Sequence, residues 1–136
     1  MNPRALSNLP LSAEQLSNLD SLGYHNMTPV QAESLPRILA GEDVLAQAKT
    51  GSGQTAAFSI GALNKINVAD LRTQTLVLCP TWELADQVAK ELRRFARPKA
   101  NVKILSLCGG TSFKAQADSL EHGAHVVVGT PGRPLT

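Results

Sequence analysis

From Ser12 onward the apolar residues recur with a helical period. The stretch "SAEQLSNLDSLG" opens on a capping serine, carries Gln15 three residues later, and places Leu16, Leu19 and Leu22 on one face. That pattern predicts a helix closed by Gly23. "TPVQAESLPRILAG" repeats it, with Thr28 as cap, Pro29 at the first helical position, Gln31 at the third and Gly41 as stop. Pro36 lies inside this second helix and is expected to kink it. Beyond Asp43 the pattern becomes strand, loop and helix, repeated. "DVLAQ" leads to a glycine-rich loop and the helix "TAAFSIGALNKI". "TLVLC" leads to "PT" and "WELADQVAKELRRFA", "NVKILSLC" to "GGTS" and "FKAQADSLEHG", and "HVVVG" to "TPGR" shortly before Thr136. Four strands separated by helices predict an α/β fold with a parallel sheet and flanking helices, since parallel neighbours need crossover connections. Continuous apolar strands predict a sheet covered on both faces.

Composition adds constraints. A length of 136 residues suits one core, and aromatic residues at 4% make that core aliphatic and alanine-rich. A net charge of +2 permits nucleic-acid contact without requiring it. Cys79 and Cys108 each end an apolar strand and lack a CxxC partner, so they read as buried thiols of a reducing compartment. With no signal peptide and no apolar run near the ~20 residues that span a bilayer, the expectation is a soluble cytoplasmic protein that does not enter membranes.

Ligands of open α/β sheets bind beyond the carboxyl ends of the strands. The loops expected there, "AKTGSGQT", "PTWE", "GGTS" and "TPGR", are rich in Gly, Pro, Thr and Ser. Turn chemistry explains any one of them; four together favour a binding rim. A phosphate loop needs small residues that turn backbone N–H groups inward, a following helix, a hydroxyl for Mg²⁺ and a lysine for the terminal phosphates. Residues 48–55 supply Gly51, Gly53, the helix and Thr55. They have Ala48 at the first position and Gln54 where the lysine belongs.

"GYHNMTPVQ", "AKTGSGQT", "PTWELA", "GG" and "TPGR" occur in the order and spacing of the first RecA-like domain of DEAD-box ATP-dependent RNA helicases, a P-loop NTPase fold. The resemblance covers about Leu6 to Arg133. It implies a helical segment with the Q motif over 1–41 and a partial RecA-like ATP-binding domain over 42–136. Gln31 resembles the glutamine that reads adenine; a capping-box role is its structural alternative, and both hold together only if the side chain faces outward. Ala48, Lys49, Thr50, Gly51, Ser52, Gly53, Gln54 and Thr55 correspond to the nucleotide-phosphate cradle, with Thr55 holding Mg²⁺ through the nucleotide. Pro80, Thr81, Trp82 and Glu83, Gly109 and Gly110, and Thr130, Pro131, Gly132 and Arg133 correspond to elements along the RNA path, where they would grip the sugar-phosphate backbone without reading bases. The implied cofactor is ATP or ADP with Mg²⁺. The implied partner is RNA, as a single strand or a duplex backbone, ribosomal RNA and ribosome biogenesis included.

The sequence departs from that pattern in four ways. Gln54 brings no charge to the β and γ phosphates, which weakens nucleotide binding by about 1.5–3 kcal/mol. Lys49 leaves from another part of the loop and does not substitute. Trp82 stands where the family carries an arginine, which leaves packing or base stacking open for the indole. Leu6 stands near the family's adenine-stacking aromatic and has no π face. Finally, no DEAD or SAT motif follows Arg133, so no catalytic set is intact, turnover is not expected, and open strand edges predict self-association or marginal stability. On the helix after Trp82, Lys90, Arg93, Arg94 and Arg97 are expected on a solvated face, with an auxiliary RNA contact as the alternative, opposite Leu84, Val88, Leu92 and Phe95. Two further function classes stay open. One is a non-catalytic nucleotide- or RNA-binding module that keeps only the fold. The other, disfavoured by the flanking motifs, is an unrelated phosphate-loop kinase or GTPase.

Overall fold

Ser12, Thr28 and Thr81 each start a helix with a side-chain oxygen that accepts a backbone N–H three residues on, from Gln15 (3.1 Å), Gln31 (3.4 Å) and Leu84 (3.2 Å). Each cap satisfies one of the N–H groups that a helix start leaves without an internal partner. The computed structural model describes residues 5–47, 53–99, 101–107, 117–118, 121 and 123–131. The chain divides into two compact units at Lys65 and Ile66.

The first unit holds α1 (Ala13–Ser21), α2 (Pro29–Leu39) and α3 (Gln54–Asn64), after a short 3-10 turn at Leu6–Asn8. Leu6, Leu9, Leu19, Met27, Leu35, Ile60 and Leu63 are buried. The amino-terminal turn is tied down by Leu6 N–H, which donates to His25 O at 3.1 Å. At Gly61 an added Cβ would run into Cγ2 of Ile38, so α2 and α3 approach each other there as only glycine permits. The helix α2 continues through Pro36 to Leu39.

The predicted strand "DVLAQ" is not formed: residues 42–47 are irregular and exposed, Leu45 completely so. A strand exists only through its ladder, and no described strand pairs with this segment. Its apolar letters therefore gain nothing from extension.

The second unit holds β1 (Thr75–Leu78), α4 (Trp82–Phe95), β2 (Ile104–Leu107) and β3 (Val126–Gly129). The sheet is parallel with order β1-β3-β2, as the crossover pattern requires. The predicted helix over 113–123 lies mostly outside the described residues, of which Ala117, Asp118 and Glu121 are helical. Coverage of both faces holds for β3, all of whose residues are buried. It fails for β1, an edge strand whose Leu76 and Leu78 are exposed. Helix α4 buries Ala85, Val88, Ala89, Leu92 and Phe95, while Leu84, expected on the apolar face, is exposed. Small alanines bring the helix close, and the core stripe runs through 85 and 89 instead of 84. Lys90 pairs with Asp86, Arg94 with Glu91, and Arg93 donates to Ile104 O at 3.2 Å, so the basic residues of α4 lie in local contacts.

His125, just before β3, is fully buried. Its Nδ1 accepts from Lys103 N–H at 2.9 Å, which places the ring proton on Nε2, and that group donates to Val68 O at 2.9 Å. One ring thus ties the start of the central strand to the approaches of both neighbours. His125→Ala leaves a cavity and two part-buried backbone groups without this partner, and is expected to cost about 3 kcal/mol. A lowered urea midpoint at unchanged slope would show it, whereas a midpoint equal to that of the parent chain would contradict this role.

Candidate functional site

Two groups of predicted site residues are described, one in each unit. In the first unit the phosphate-loop residues 48–52 lie outside the described residues. Its exit is seen: Gly53 caps α3 with left-handed backbone (φ 96°) and offers no side-chain hydrogen bond to the first turn. A Cβ at Gly53 would meet Gln31 Nε2, and would stand 3.0 Å from both Gln31 Cδ and Thr28 Oγ1. Geometry and space both demand glycine there.

Gln31 is the residue that closes against it. Its Oε1 accepts from Thr28 N–H at 3.0 Å, completing the capping box that the sequence predicts. Its Nε2 donates to Gly53 O at 3.1 Å. With a relative exposure of 2%, Gln31 does not face outward, the orientation that reading an adenine edge in addition to capping requires. The amide links the start of α2 to the end of the loop, and it would have to turn to meet a base.

Gln54 and Thr55 occupy the first two positions of α3. The Gln54 Nε2 donates to Ala46 O at 3.2 Å, so the neutral group at the lysine position folds back onto the chain entering the loop. Leu6 is buried at 3% exposure, which makes it a core residue of its unit and turns it away from any base. An open cleft of about 620 Å³ lies between α2 and residues 43–47, lined by Val30, Glu33, Arg37 and Leu45 among others.

In the second unit the strand register builds a rim. Leu78 of β1 and Leu107 of β2 both lie opposite Gly129 of β3, and Cys79 N–H donates to Gly129 O at 2.9 Å. The three strands therefore end level. Pro80 and Thr81 leave the sheet beside Thr130 and Pro131, with Trp82 and Glu83 forming the first turn of α4. Pro80, Thr81, Trp82, Glu83 and Pro131 are exposed and Thr130 is half-buried. Gly109, Gly110, Gly132 and Arg133 lie outside the described residues, as does Cys108; Cys79 is a buried thiol.

Hydrogen bonds from Arg72 hold the Asp70 carboxyl down to about 2, Asp70 in turn raises Arg72, and burial lowers Lys99. Asp70 and Arg72 precede β1, at the sheet end remote from Pro80. Among the described residues no three His, Cys, Asp or Glu side chains converge on a metal position. The buried His125 clasp and the Gln54 contact with Ala46 escape sequence reasoning, since neither residue carries a motif that names its partner.

The second unit presents a level rim of Pro-Thr and Thr-Pro loops on a parallel sheet, and the first a glycine exit into a helix; both are elements of a RecA-like fold. The chain belongs to the DEAD/DEAH box helicase family, whose model matches residues 28–136. Its relatives include the ATP-dependent RNA helicase DbpA of Escherichia coli K12, 62% identical over 125 residues, which span 92% of this chain and 27% of that protein. Another is the DEAD-box ATP-dependent RNA helicase CshA of Streptococcus pneumoniae, 46% identical over 93% of this chain and 24% of its own length. The chain thus spans about a quarter of the curated relatives it matches. Among solved structures, a DEAD box protein from the hyperthermophile Methanococcus jannaschii superposes with a TM-score of 0.91 at 36% identity, over 97% of this chain and 36% of that one. Saccharomyces cerevisiae Dbp5, bound to RNA and ADP BeF3, superposes with a TM-score of 0.84 at 26% identity, over 97% of this chain and 33% of that one.

The Gln31 clasp gives a direct test. Gln31→Glu keeps an acceptor for Thr28 N–H but sets a second oxygen against Gly53 O. A loss of about 1–3 kcal/mol is expected at neutral pH. The deficit should shrink in acid, where the protonated carboxyl donates again. Thermal melts of parent and variant across pH would read both effects, and an equal deficit at every pH would exclude the Gly53 bond as the cause.

Proposed function

We propose that this chain supplies the nucleotide-phosphate cradle and RNA-backbone rim of a DEAD-box ATP-dependent RNA helicase, with weak nucleotide binding and no turnover by these residues alone. The observation that carries this reading is the start of α3. A left-handed Gly53 opens an uncapped helix end beside Gln54 and Thr55, as a phosphate loop requires, yet the residue at the cationic position spends its amide on Ala46 O. The described end of the loop, residues 53–55, carries no cation, which supports weak nucleotide binding.

In this reading residues 48–55 hold the phosphates of ATP or ADP, with Thr55 as the hydroxyl that meets Mg²⁺ through the nucleotide. When bound, that ion neutralises phosphate charge. Gln31 acts first as the strut that fixes the loop exit, and meets adenine only after turning from Gly53. Pro80 to Glu83, Gly109, Gly110 and Thr130 to Arg133 hold the sugar-phosphate backbone of RNA, with ribosomal RNA as the class implied by the family resemblance. The setting is cytoplasmic; no helix among the described residues is long and apolar enough to cross a membrane. Leu76 and Leu78 on the edge strand β1 support self-association at high concentration.

A second reading, a binding module that keeps the fold and has left nucleotide chemistry, is favoured by the same Gln54 contact. Titration with fluorescent ADP separates the two. Gln54→Lys frees Ala46 O and adds a cation, and should tighten ADP by roughly 10- to 100-fold, the equivalent of about 1.5–3 kcal/mol. Neither chain should hydrolyse ATP. Measurable turnover by the parent sinks the first reading, and an unchanged ADP affinity in the variant favours the second.

A further inference from the structure

Charge is unevenly spread along the chain. Residues 90–103 hold six Lys and Arg against a single carboxylate, Glu91, a net +5 on a chain whose total is +2, so the remainder is net −3. Three of the six cations are engaged by the fold. Arg94 pairs with Glu91 at 2.8 Å, Lys90 with Asp86 at 3.0 Å, and half-buried Lys99 donates from Nζ to Ile66 O at 2.8 Å. Arg93, Arg97 and Lys103 are exposed, and among the described residues no carboxylate forms an ion pair with any of them.

Two elements bring this group together. Arg93 lies in the last turn of α4, and its guanidinium donates to Ile104 O at 3.2 Å, next to Lys103 at the entry to β2. That bond holds the guanidinium in place without neutralising it and leaves other N–H donors for a ligand. Arg97 follows one turn later, just past the C-cap Ala96. A basic last turn offsets the negative end of a helix dipole, which accounts for Arg93 and Arg94. It does not account for Lys103, which stands on another element.

The surroundings decide which polyanion fits. None of the large apolar side chains that are exposed among the described residues falls within 90–103. A protein partner needs an apolar centre to its interface, with charges at the margin. A nucleic-acid backbone needs only cations presented to successive phosphates.

We propose that Arg93, Arg97 and Lys103 form a second phosphate-binding surface for RNA, at the end of the sheet opposite the Pro-Thr rim. This rests on the RNA reading above and extends it to another face. Helix α4 starts at the rim and runs 14 residues to this patch, about 20 Å. RNA held here is gripped through charge alone, blind to sequence and sensitive to salt, and is kept close to the rim.

The test follows an end-labelled twenty-nucleotide single-stranded RNA by anisotropy across a salt series. Relative to the parent chain, the triple variant Arg93→Gln, Arg97→Gln, Lys103→Gln should reduce the log–log salt slope by about 2, at about 0.7 for each of three phosphate contacts. Arg97→Gln and Lys103→Gln singly should each reduce it by about 0.7. Circular dichroism checks folding, and these two single variants keep the test open if loss of the Arg93 bond to Ile104 O unfolds the triple variant. Arg93→Lys with Arg97→Lys keeps both charges and should keep the slope. A slope lost there as fully as with glutamine would trace the effect to arginine packing and overturn the proposal. If the glutamine variants bind with the parent's slope and affinity, the patch is overturned while the rim reading stands. If the triple variant folds and loses all RNA binding, the patch is upheld and the rim reading falls. If the parent binds no RNA, both fall. Tighter binding of a polyglutamate chain of equal charge than of the RNA would assign the patch to an acidic protein and overturn the proposal.

Discussion

The buried carboxamide of Gln31 is the contact on which the geometry of the phosphate-loop exit depends. It accepts from Thr28 N–H at 3.0 Å and donates to Gly53 O at 3.1 Å, so one planar group sets both the first turn of α2 and the backbone from which α3 departs. Neither bond competes with water at 2% exposure, and each lost bond would leave a polar group stranded inside the unit. The close approach that requires glycine at 53 follows from this amide, because the space a side chain would need is already filled by Gln31 and Thr28. Loop-exit geometry is in this sense inherited from a helix cap 22 residues earlier in the chain.

Helix starts are the most legible part of the sequence, since a cap is a local interaction between residues three apart. Ser12 and Thr28 stand where their letters predict, and the Thr28–Gln31 pair closes the full box. Parallel pairing is legible from the alternation of elements. Strand existence is not, because a strand is stabilised by partners far away in sequence. "DVLAQ" and "TLVLC" look alike on the page, yet the first remains irregular and the second becomes an edge strand with alternate leucines in solvent. Hydrophobicity states what a segment could bury and is silent on what covers it.

Residues whose role is to meet backbone are equally hard to read. His125 carries no motif, and its two ring bonds go to carbonyl and amide groups of Val68 and Lys103, which every residue possesses. The Gln54 amide likewise finds a main-chain oxygen. Sequence patterns identify residues that recognise particular side chains or ligands; they do not identify the donors and acceptors common to all positions. The rim of the second unit is a mixed case. Its Pro-Thr and Thr-Pro letters are visible, but that the strands finish level depends on the register of Leu78 and Leu107 against Gly129, which only pairing fixes.

The two departures that most alter the chemistry share one structural address. Gln54 is the first residue of α3 and Trp82 the first residue of α4, each after a loop that ends in a helix start. At that position the backbone N–H needs no intrahelical partner and the side chain points away from the helix's buried stripe. Identity there is nearly free of the fold: a cation can become a carboxamide or an indole without disturbing the caps, the register or the core. The same freedom makes it the position where ligand chemistry is decided, because the electropositive helix end remains whatever side chain stands on it. Fold and binding rim can thus persist while the charges on the rim change, and two positions where the family pattern has cations here carry none. What the helix start at Gly53 keeps is attraction from backbone dipoles, short-ranged and weaker than that of fixed charges.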